Sequence, residues 1–286
     1  MGLRMKNITS ELKKQILCCS NLSNKMDLLK NKYKGDICYI LTAGPSLNDI
    51  DKKNIKSKLR DKLVFSIKQT FNIAPEIVDF HLLNPWNYTL YNHKKNNNTI
   101  IASTRVDNDP LTPGLQSDMV FNITGVGSKV SPDYAYANRL AIKKNFEDYL
   151  FTKTLDRPWG PGIIYELAIY LALHLGVSKI IILGWDIGVL NSNKMAHFYD
   201  DKNPQVLNIK KNILKQNDKL SFIRMLTDKV FKKVNIYNEP GFVRDDVKII
   251  AESTSSLFYW LKSKNVDLEI ISSKSLADQI IPRVEL

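Results

Sequence analysis

The sequence contains few cysteines and no long apolar run. Its 286 residues include three cysteines, Cys18, Cys19 and Cys38, whose spacing fits neither a zinc site nor a disulfide framework. This scarcity favours a reduced, cytoplasmic setting. No apolar stretch approaches the roughly 20 residues that cross a bilayer, and the N-terminus has no signal-peptide core. The sequence also has neither an aromatic RNA-binding motif nor a Cys/His finger, so we expect no nucleic-acid partner.

The charge balance is strongly basic. Lys and Arg number 41 against 29 Asp and Glu, which gives a formal net charge of +12. Such an excess favours an anionic partner, either a phosphorylated substrate or an anionic membrane surface. The alternative is a lysine-rich composition with the cations scattered over solvated faces, since the basic runs are short.

Residues 1–35 form an N-terminal element ahead of a single predicted domain at 36–286. Thr9 or Ser10 is a candidate cap for a helix over 8–33, and Gly35 ends it. This amphipathic helix can pack on the domain, pair with a second copy in a homo-oligomer, or lie on a membrane surface. Its apolar residues recur at helical spacing: Ile8, Leu12, Ile16, Cys19, Leu22, Met26, Leu29 and Tyr33.

From residue 36 onward, short apolar strands alternate with helical patterns. This alternation predicts an α/β fold with a doubly wound, mostly parallel, Rossmann-like sheet. The strand over 179–183 is almost entirely apolar, which is typical of a parallel strand buried on both faces. The predicted strands are 37–41, 63–67, 77–83, 99–103, 119–122, 179–183, 234–237 and 268–271, and the predicted helices are 47–58, 162–176, 207–232 and 251–264.

Ligands of open parallel sheets bind beyond the carboxyl ends of the strands, near the point where the strand order reverses. The residues that follow the predicted strands are therefore the candidate binding residues. They are Ala43, Gly44, Pro45 and Ser46 after the first strand, Lys68 and Gln69 after the second, Asn84 after the third, and Trp185 and Asp186 after the strand at 179–183.

The corner Gly44-Pro45-Ser46 admits two interpretations. Gly44 allows close backbone approach of a phosphate, and Ser46 can bind an anion at the start of the predicted helix. The other interpretation is an ordinary capped turn, because the corner is neither a dinucleotide fingerprint nor a P-loop. On the first interpretation, Gly44→Val blocks nucleotide binding without unfolding the chain.

A second candidate segment runs from Arg157 to Gly188. Gly160 and Gly162 lie in a Pro/Gly loop that leads into a helix apolar nearly all round, which predicts a buried helix. Two glycine-bearing helix starts on one sheet can hold a nucleotide between them. His174, within that helix, is expected in the core.

Together, YILTAGPSLNDID and LGVSKIIILGWDIG resemble the bacterial sialyltransferase family that builds lipooligosaccharide from CMP-sialic acid. The resemblance follows the motif order from about residue 36 to 282. It also extends to relatives, the MptE-like pterin pyrophosphokinases and the motility accessory factors that glycosylate flagellin. It implies an inverting, metal-independent glycosyltransferase that moves sialic acid or a related 2-keto sugar acid from a CMP-activated donor to a glycan or lipid-linked glycan. The matched motifs are Gly44-Pro45-Ser46-Leu47, Lys68-Gln69, Asn84-Pro85, Arg157, Gly160/Gly162, Gly184-Trp185-Asp186 and Ser275-Leu276.

The sequence departs from that family at functional positions. The family's two asparagines near the first two strand ends are replaced by Ala43 and Lys68, and a lysine there can pair with a donor phosphate or carboxylate. The family's late histidine has no counterpart, since no histidine follows His197. The corresponding segment offers Glu239, Arg244, Asp245, Asp246 and Glu252.

We therefore expect His197 or Tyr199 at the reaction centre, with Arg157 and Lys68 supplying positive charge. A histidine with a pKa near neutrality suits a general base, and cations or hydrogen-bond donors stabilise a departing phosphate. A surface-loop role for His197 is the alternative.

Asp107-Asn108-Asp109 matches the Asp-x-Asp of metal-dependent glycosyltransferases, which bind Mg²⁺ or Mn²⁺ through nucleotide phosphates. No metal or other cofactor is expected here, because the resemblance implies a metal-independent family. Metal ligation by these carboxylates would favour an MptE-like diphosphokinase instead. A non-catalytic nucleotide-binding module is the third alternative. The basic balance further predicts peripheral attachment at the inner face of the cytoplasmic membrane.

Overall fold

The computed structural model describes residues 2–83, 91–106, 117–124, 146–158, 162–187, 240–272 and 275–286. These residues form an eight-stranded parallel sheet in the order β6-β5-β4-β3-β2-β1-β7-β8. The predicted α/β parallel fold is confirmed. The strands are β1 (Ile37–Leu41), β2 (Leu63–Ile67), β3 (Phe80–Leu83), β4 (Ile100–Val106), β5 (Met119–Thr124), β6 (Arg157–Pro158), β7 (Lys179–Leu183) and β8 (Asp267–Ile271).

Both faces of the sheet are covered, as a doubly wound fold requires. The larger core cluster packs the first face against α1 (Gly2–Cys18), α2 (Leu22–Leu29), α4 (Ile169–Leu175) and α5 (Pro240–Ser263). The smaller cluster packs the second face against α3 (Lys52–Leu59). Alternate residues of β1, β2 and β7 therefore enter different cores, which explains why these strands are largely apolar.

The predicted helix at 8–33 is two helices. The break lies between Cys18 and Leu22, because Asn21 starts α2 by accepting a hydrogen bond from the Asn24 N–H at 2.9 Å. Thr9 is not a cap but an interior residue of α1. The apolar face belongs to the core, where Leu12, Ile16, Met26, Leu29 and Tyr33 are buried.

Two buried polar contacts fix these helices to the sheet. The Thr9 hydroxyl donates to Asp79 Oδ1 at 2.9 Å, and the Val64 N–H donates to Asp79 Oδ2 at 2.9 Å. The Tyr33 hydroxyl is 2.5 Å from Thr9 Oγ1, and burial raises the pKa of Tyr33. His174 donates from Nε2 to the Met26 carbonyl at 2.7 Å, so it belongs to the core contacts as expected.

Helix starts differ from the prediction at two places. Pro45–Asp49 is a 3-10 turn, and α3 begins only at Lys52, where Asp51 accepts a hydrogen bond from the Lys53 N–H. The helix after Gly162 opens with a π-helical segment, Ile164–Ala168, that continues into α4 and ends at Gly176 with a φ of +81°. The short edge strand β6 was not predicted, and the predicted elements at 207–232 and 234–237 lie outside the described residues.

Candidate functional site

The strand order reverses between β1 and β7. The chain builds β1 to β6 outward in one direction and then returns to place β7 on the other side of β1. Leu41 pairs with Leu183 at the carboxyl ends of the two strands. The corners Gly44-Pro45-Ser46 and Gly184-Trp185-Asp186, far apart in sequence, therefore meet at the switch point, where ligands of such sheets bind.

The segments that follow β1 and β7 stay hydrogen-bonded to each other beyond the ends of the two strands. The Thr42 N–H donates to the Leu183 carbonyl at 2.9 Å, and the Gly44 N–H donates to the Gly184 carbonyl at 2.9 Å. The Thr42 hydroxyl adds a third bond to Leu183 O at 2.8 Å. No crevice opens between β1 and β7 at Thr42 and Gly44, so a ligand must lie over the corner rather than between the two strands.

Asp186 joins the ends of three strands. Its carboxylate accepts hydrogen bonds from the Ser46 N–H at 2.7 Å and the Ser46 hydroxyl at 2.5 Å, and it also accepts one from the Ser272 hydroxyl after β8. Asp186 is 2% exposed. These charge-assisted bonds hold the corner in one arrangement, so Asp186 organises the site.

Gly44 has a different role from the predicted one. A Cβ at this position would lie 2.2 Å from the Gly184 carbonyl oxygen and 2.5 Å from Asp186 Oδ2. The space in which a side chain of residue 44 would lie is therefore filled by the protein itself. Gly44→Val must disturb the corner, and it cannot serve as a variant that blocks binding while leaving the fold intact.

Ser46 is also used internally. Both its N–H and its hydroxyl donate to Asp186, and the helix dipole expected behind it is absent because the segment is a short 3-10 turn. The surface left partly exposed at this corner comes from Ala43, Gly44 and Pro45. These three residues, rather than Ser46, remain available to a ligand.

Trp185, a candidate binding residue in the sequence, is buried in the core. Its ring is 6% exposed and lies 6.1 Å, centroid to centroid, from the ring of Tyr165. Its carbonyl accepts a hydrogen bond from the Ser275 hydroxyl at 2.5 Å. Ile187, two residues on, has a φ of +53°, a strained conformation for a β-branched residue.

Lys68 has an unusual backbone at the carboxyl end of β2. Its φ is +51°, in the left-handed region that L residues disfavour. The side chain is half-buried, and burial lowers the pKa of its ammonium while the nearby Glu166 carboxylate opposes that shift. Gln69 follows in the 3-10 turn Lys68–Asn72 and is half-buried as well.

Glu166 is a buried carboxylate that acts electrostatically on Lys68, and it was not predicted from the sequence. It lies in the π-helical segment, is 2% exposed, and accepts a long hydrogen bond of 3.4 Å from the Thr104 hydroxyl of β4. The sequence signal that could have identified Glu166 is its position as a single carboxylate in an otherwise apolar helix, four residues after Gly162. Gly162 itself has a φ of +123°, which glycine alone adopts readily.

Arg157 is placed differently from the expectation. Its side chain is 0% exposed, and its guanidinium donates to three backbone carbonyls, those of Leu155 at 3.1 Å, Tyr149 at 2.8 Å and Thr154 at 2.6 Å. The guanidinium also lies 4.0 Å from the ring centroid of Phe151. Burial lowers the pKa of Arg157 to about 10. These contacts give Arg157 a structural role that the sequence did not predict, and its catalytic role stays a prediction.

A histidine pair next to Lys68 was also missed from the sequence. His81 of β3 is 0% exposed, with Nδ1 2.8 Å from His93 Nε2 and Nε2 2.9 Å from the Lys68 carbonyl oxygen. Burial and the neighbouring His93 lower the pKa of His81 to about 3. Burial lowers the pKa of His93 too. No local sequence pattern links residues 81 and 93, so only the fold reveals the pair.

Several predicted residues lie outside the described residues. They are Asn84, Gly160, His197, Tyr199, Asp107, Asp109 and Glu239. Glu252 is exposed on α5, which also carries Arg244, Asp245 and Asp246. Within the described ranges, no group of three or more His, Cys, Asp or Glu side chains is arranged to hold a metal ion.

A cleft of about 620 Å³ adjoins the corner on the side of β8. Ser46 and Ser272 line it, together with Asn54 and Gln279. Its cations are already engaged: Lys58 donates to the Leu286 carbonyl, and Arg283 donates to the Asp278, Ile281 and Ala277 carbonyls.

The comparisons with known proteins add little to this geometry. No protein-family model and no curated protein matches the sequence. Among solved structures, the chain is similar to the MAf glycosyltransferase from Magnetospirillum magneticum AMB-1, with 16% identity and a TM-score of 0.27. The match covers 60% of this chain and 29% of that one, so it spans less than a third of that protein. A likeness this distant carries no argument about function. Among the described helices, none is both long and apolar enough to cross a membrane.

Proposed function

We propose that this protein is a glycosyltransferase that moves sialic acid, or a related 2-keto sugar acid, from a CMP-activated donor to a surface-glycan acceptor. One observation supports the proposal most. The two motifs that carry the sequence resemblance, Gly44-Pro45-Ser46 and Gly184-Trp185-Asp186, meet at the switch point and are bonded through Ser46 and Asp186. Such an edge is where nucleotides bind in open parallel sheets.

Glycosyl transfer from a CMP-activated donor requires positive charge near the donor's anionic groups. Transfer breaks the bond between the sugar and the CMP phosphate, leaves the electron pair on that phosphate, and needs a base to take the acceptor's proton. Lys68 is the best-placed described cation, because it follows β2 directly and β2 pairs with β1. We propose that its ammonium binds the donor's carboxylate or phosphate. His197 and Tyr199 stay our candidates for proton transfer, and inversion at the sugar follows from a direct displacement.

The membrane association that we propose is electrostatic and peripheral, at the inner face of the cytoplasmic membrane. The apolar residues Leu12 and Ile16 of α1 and Met26 and Leu29 of α2 pack in the core, so these side chains are not available to insert into a membrane. Lys13 and Lys25 are also engaged, with the Thr99 and Asp118 carbonyls respectively. The exposed Lys14, Lys30 and Lys32 remain for anionic lipids. Sedimentation with phosphatidylglycerol vesicles at 20 and 300 mM salt tests this, and binding that ignores salt or never occurs contradicts it.

Calorimetry with a nucleotide panel tests the main proposal. CMP should bind more tightly than UDP, GDP or ATP, without a requirement for Mg²⁺. Lys68→Met should weaken CMP binding at least about tenfold, since hydrogen bonds to charged groups contribute about 1.5–3 kcal/mol. Lys62→Met removes the same charge from an exposed position at the opposite end of β2 and should leave affinity unchanged. Preferential, Mg²⁺-dependent binding of ATP would contradict the proposal and favour a diphosphokinase.

A further inference from the structure

The His81–His93 pair has a defined hydrogen-bond direction. A carbonyl oxygen only accepts, so the His81 nitrogen 2.9 Å from the Lys68 carbonyl, Nε2, carries the hydrogen. In neutral His81 the other nitrogen, Nδ1, must then accept, and His93 Nε2–H is its donor at 2.8 Å. The chain of donors therefore runs from His93 through His81 to the backbone of Lys68.

Two aromatic rings fix the plane of His81. Phe71 stacks on it with ring centroids 4.6 Å apart and an interplanar angle of 13°, and Tyr91 meets it edge-on at 4.5 Å and 85°. The imidazole is thus held on both its edge and its face. Such packing sets the direction of the Nε2–H bond to Lys68.

The left-handed turn at Lys68 decides which side of the sheet its side chain reaches. Leu63, Phe65 and Ile67 belong to the larger cluster, so a continued β conformation would turn Lys68 toward the smaller cluster and α3. Glu166 lies on the opposite side, because its helical neighbours Tyr165 and Leu167 pack in the larger cluster. The left-handed φ turns the side chain away from that course, and the Glu166 carboxylate acts on the ammonium, so we infer that the ammonium lies on the side of Glu166.

His81 acts from the other face. It alternates with Phe80 and Leu82, which enter the larger cluster, and its register partner is Ser66 of β2. The imidazole therefore contacts the Lys68 carbonyl from the face of the smaller cluster, whereas the Lys68 side chain extends toward the face of the larger cluster. A disfavoured φ persists only where surrounding contacts maintain it, and this hydrogen bond is one such contact.

We propose that His81, supported by His93, is a positioning residue for Lys68. By holding the Lys68 carbonyl, it keeps the backbone in the left-handed turn and the ammonium beside Glu166, where it meets the anionic group of the donor. The last step rests on the proposed function. The positioning of Lys68 itself does not.

Matched variants test the positioning. Glutamine places an amide N–H near the position of His Nε2, so His81→Gln should retain CMP affinity within about twofold. Phenylalanine keeps the ring but has no donor, so His81→Phe should lose about tenfold. In a Lys68→Met background, His81→Phe should cause no further loss, because both changes remove one interaction. Full additivity of the two losses, or equal losses for Gln and Phe, overturns the proposal.

A second readout does not need a nucleotide. NMR of lysine side chains labelled at Cε should show the pKa of Lys68 below the ordinary lysine value in the wild type and in His81→Gln. In His81→Phe, and more weakly in His93→Phe, the pKa of Lys68 should move toward the ordinary value as the ammonium leaves its buried position and becomes solvated. An unchanged Lys68 pKa in both Phe variants overturns the positioning role. Absence of CMP binding in the wild type alone would reject the proposed function and leave this readout decisive.

Discussion

Ser46 donates two hydrogen bonds to a single carboxylate, that of Asp186, at 2.7 Å from its backbone and 2.5 Å from its hydroxyl. The residues are 140 positions apart in sequence, and each follows one of the two strands that flank the switch point. The contact fixes the shape of the corner on which a ligand would lie. It also explains why the Gly44-Pro45-Ser46 segment is built tightly against the protein rather than left open.

The close packing at Gly44 predicts a large cost for even one methyl group. Gly44→Ala places Cβ against the Gly184 carbonyl and Asp186, so we expect the free energy of unfolding to fall by about 1–3 kcal/mol. Gly35→Ala is the matched control, since its φ is +82° and nothing lies within 4 Å of the added Cβ. Gly35→Ala should lower the free energy of unfolding by only about 1 kcal/mol, which is the cost of placing a residue with a Cβ in the left-handed conformation. Urea unfolding of both variants measures the difference, and equal losses would refute steric packing at Gly44.

The burial of Arg157 predicts a stability effect. Arg157→Met leaves three backbone carbonyls without their donor, and we expect unfolding to become easier by about 2–4 kcal/mol. Arg105→Met, at an exposed position of β4, should change stability by less than about 0.5 kcal/mol. Thermal unfolding and CMP titration of the same samples separate a structural role of Arg157 from a catalytic one. A stable Arg157→Met protein that has lost CMP affinity would contradict the structural role and support the predicted catalytic one.

The Thr9–Asp79 hydrogen bond predicts that α1 is tied to the sheet by a polar contact as well as by its apolar face. Thr9→Val keeps the shape of the side chain but removes the donor to Asp79 Oδ1, at an expected cost of about 1–3 kcal/mol. Ser10→Ala, which removes an exposed bond to Asn98 of 3.3 Å, is the control. Hydrogen exchange in α1 should accelerate in Thr9→Val alone. The same exchange rates in both variants would show that apolar packing suffices.

The low pKa of His81 predicts a loss of stability in acid. The unfolded chain protonates this histidine near pH 6.5, whereas the folded chain does so only near pH 3. Between these values the unfolded state binds more protons, so stability falls as the pH drops, by up to about 1.4 kcal/mol per pH unit for this group. The groups that act on the pair are the Lys68 carbonyl on His81, and Lys13 and Asp118 on His93.

His81→Gln removes that titration. Its free energy of unfolding should vary less between pH 6 and pH 4.5 than that of the wild type, as measured by urea unfolding at each pH. His93 has a lowered pKa as well, so His93→Gln should flatten the curve further. Parallel pH profiles for the wild type and His81→Gln would contradict a neutral, buried His81.

The strands were the most predictable part of the fold. The bounds of β1, β2 and β7 match the sequence prediction to the residue, because central parallel strands are buried on both faces and read as continuous apolar runs. The predicted strand at 77–83 was too long, since Pro75–Ile77 forms a 3-10 turn. The edge strand β6 has only two residues, too few to produce a pattern.

The site was less predictable for a physical reason. Sequence position identified Lys68 and Asp186 because both lie within three residues of the end of a strand, yet it could not show whether a side chain points to a ligand or to the protein. Arg157 illustrates this, since its three carbonyl partners are specified only by the folded turn that precedes it. His81 and Glu166 come from elements whose residues otherwise fill the core, and their polar partners lie on other elements.

Glycosyl transfer itself is tested most directly by following CMP-sialic acid and a panel of galactoside acceptors by NMR. We predict enzyme-dependent release of CMP and formation of a sialoside with inverted anomeric configuration. Both reactions should continue when Mg²⁺ is removed. Lys68→Met should reduce turnover at least about tenfold, while Lys62→Met should match the wild type. No CMP release above the enzyme-free rate, together with Mg²⁺-dependent conversion of ATP to AMP in the presence of a hydroxymethylpterin, would contradict the account.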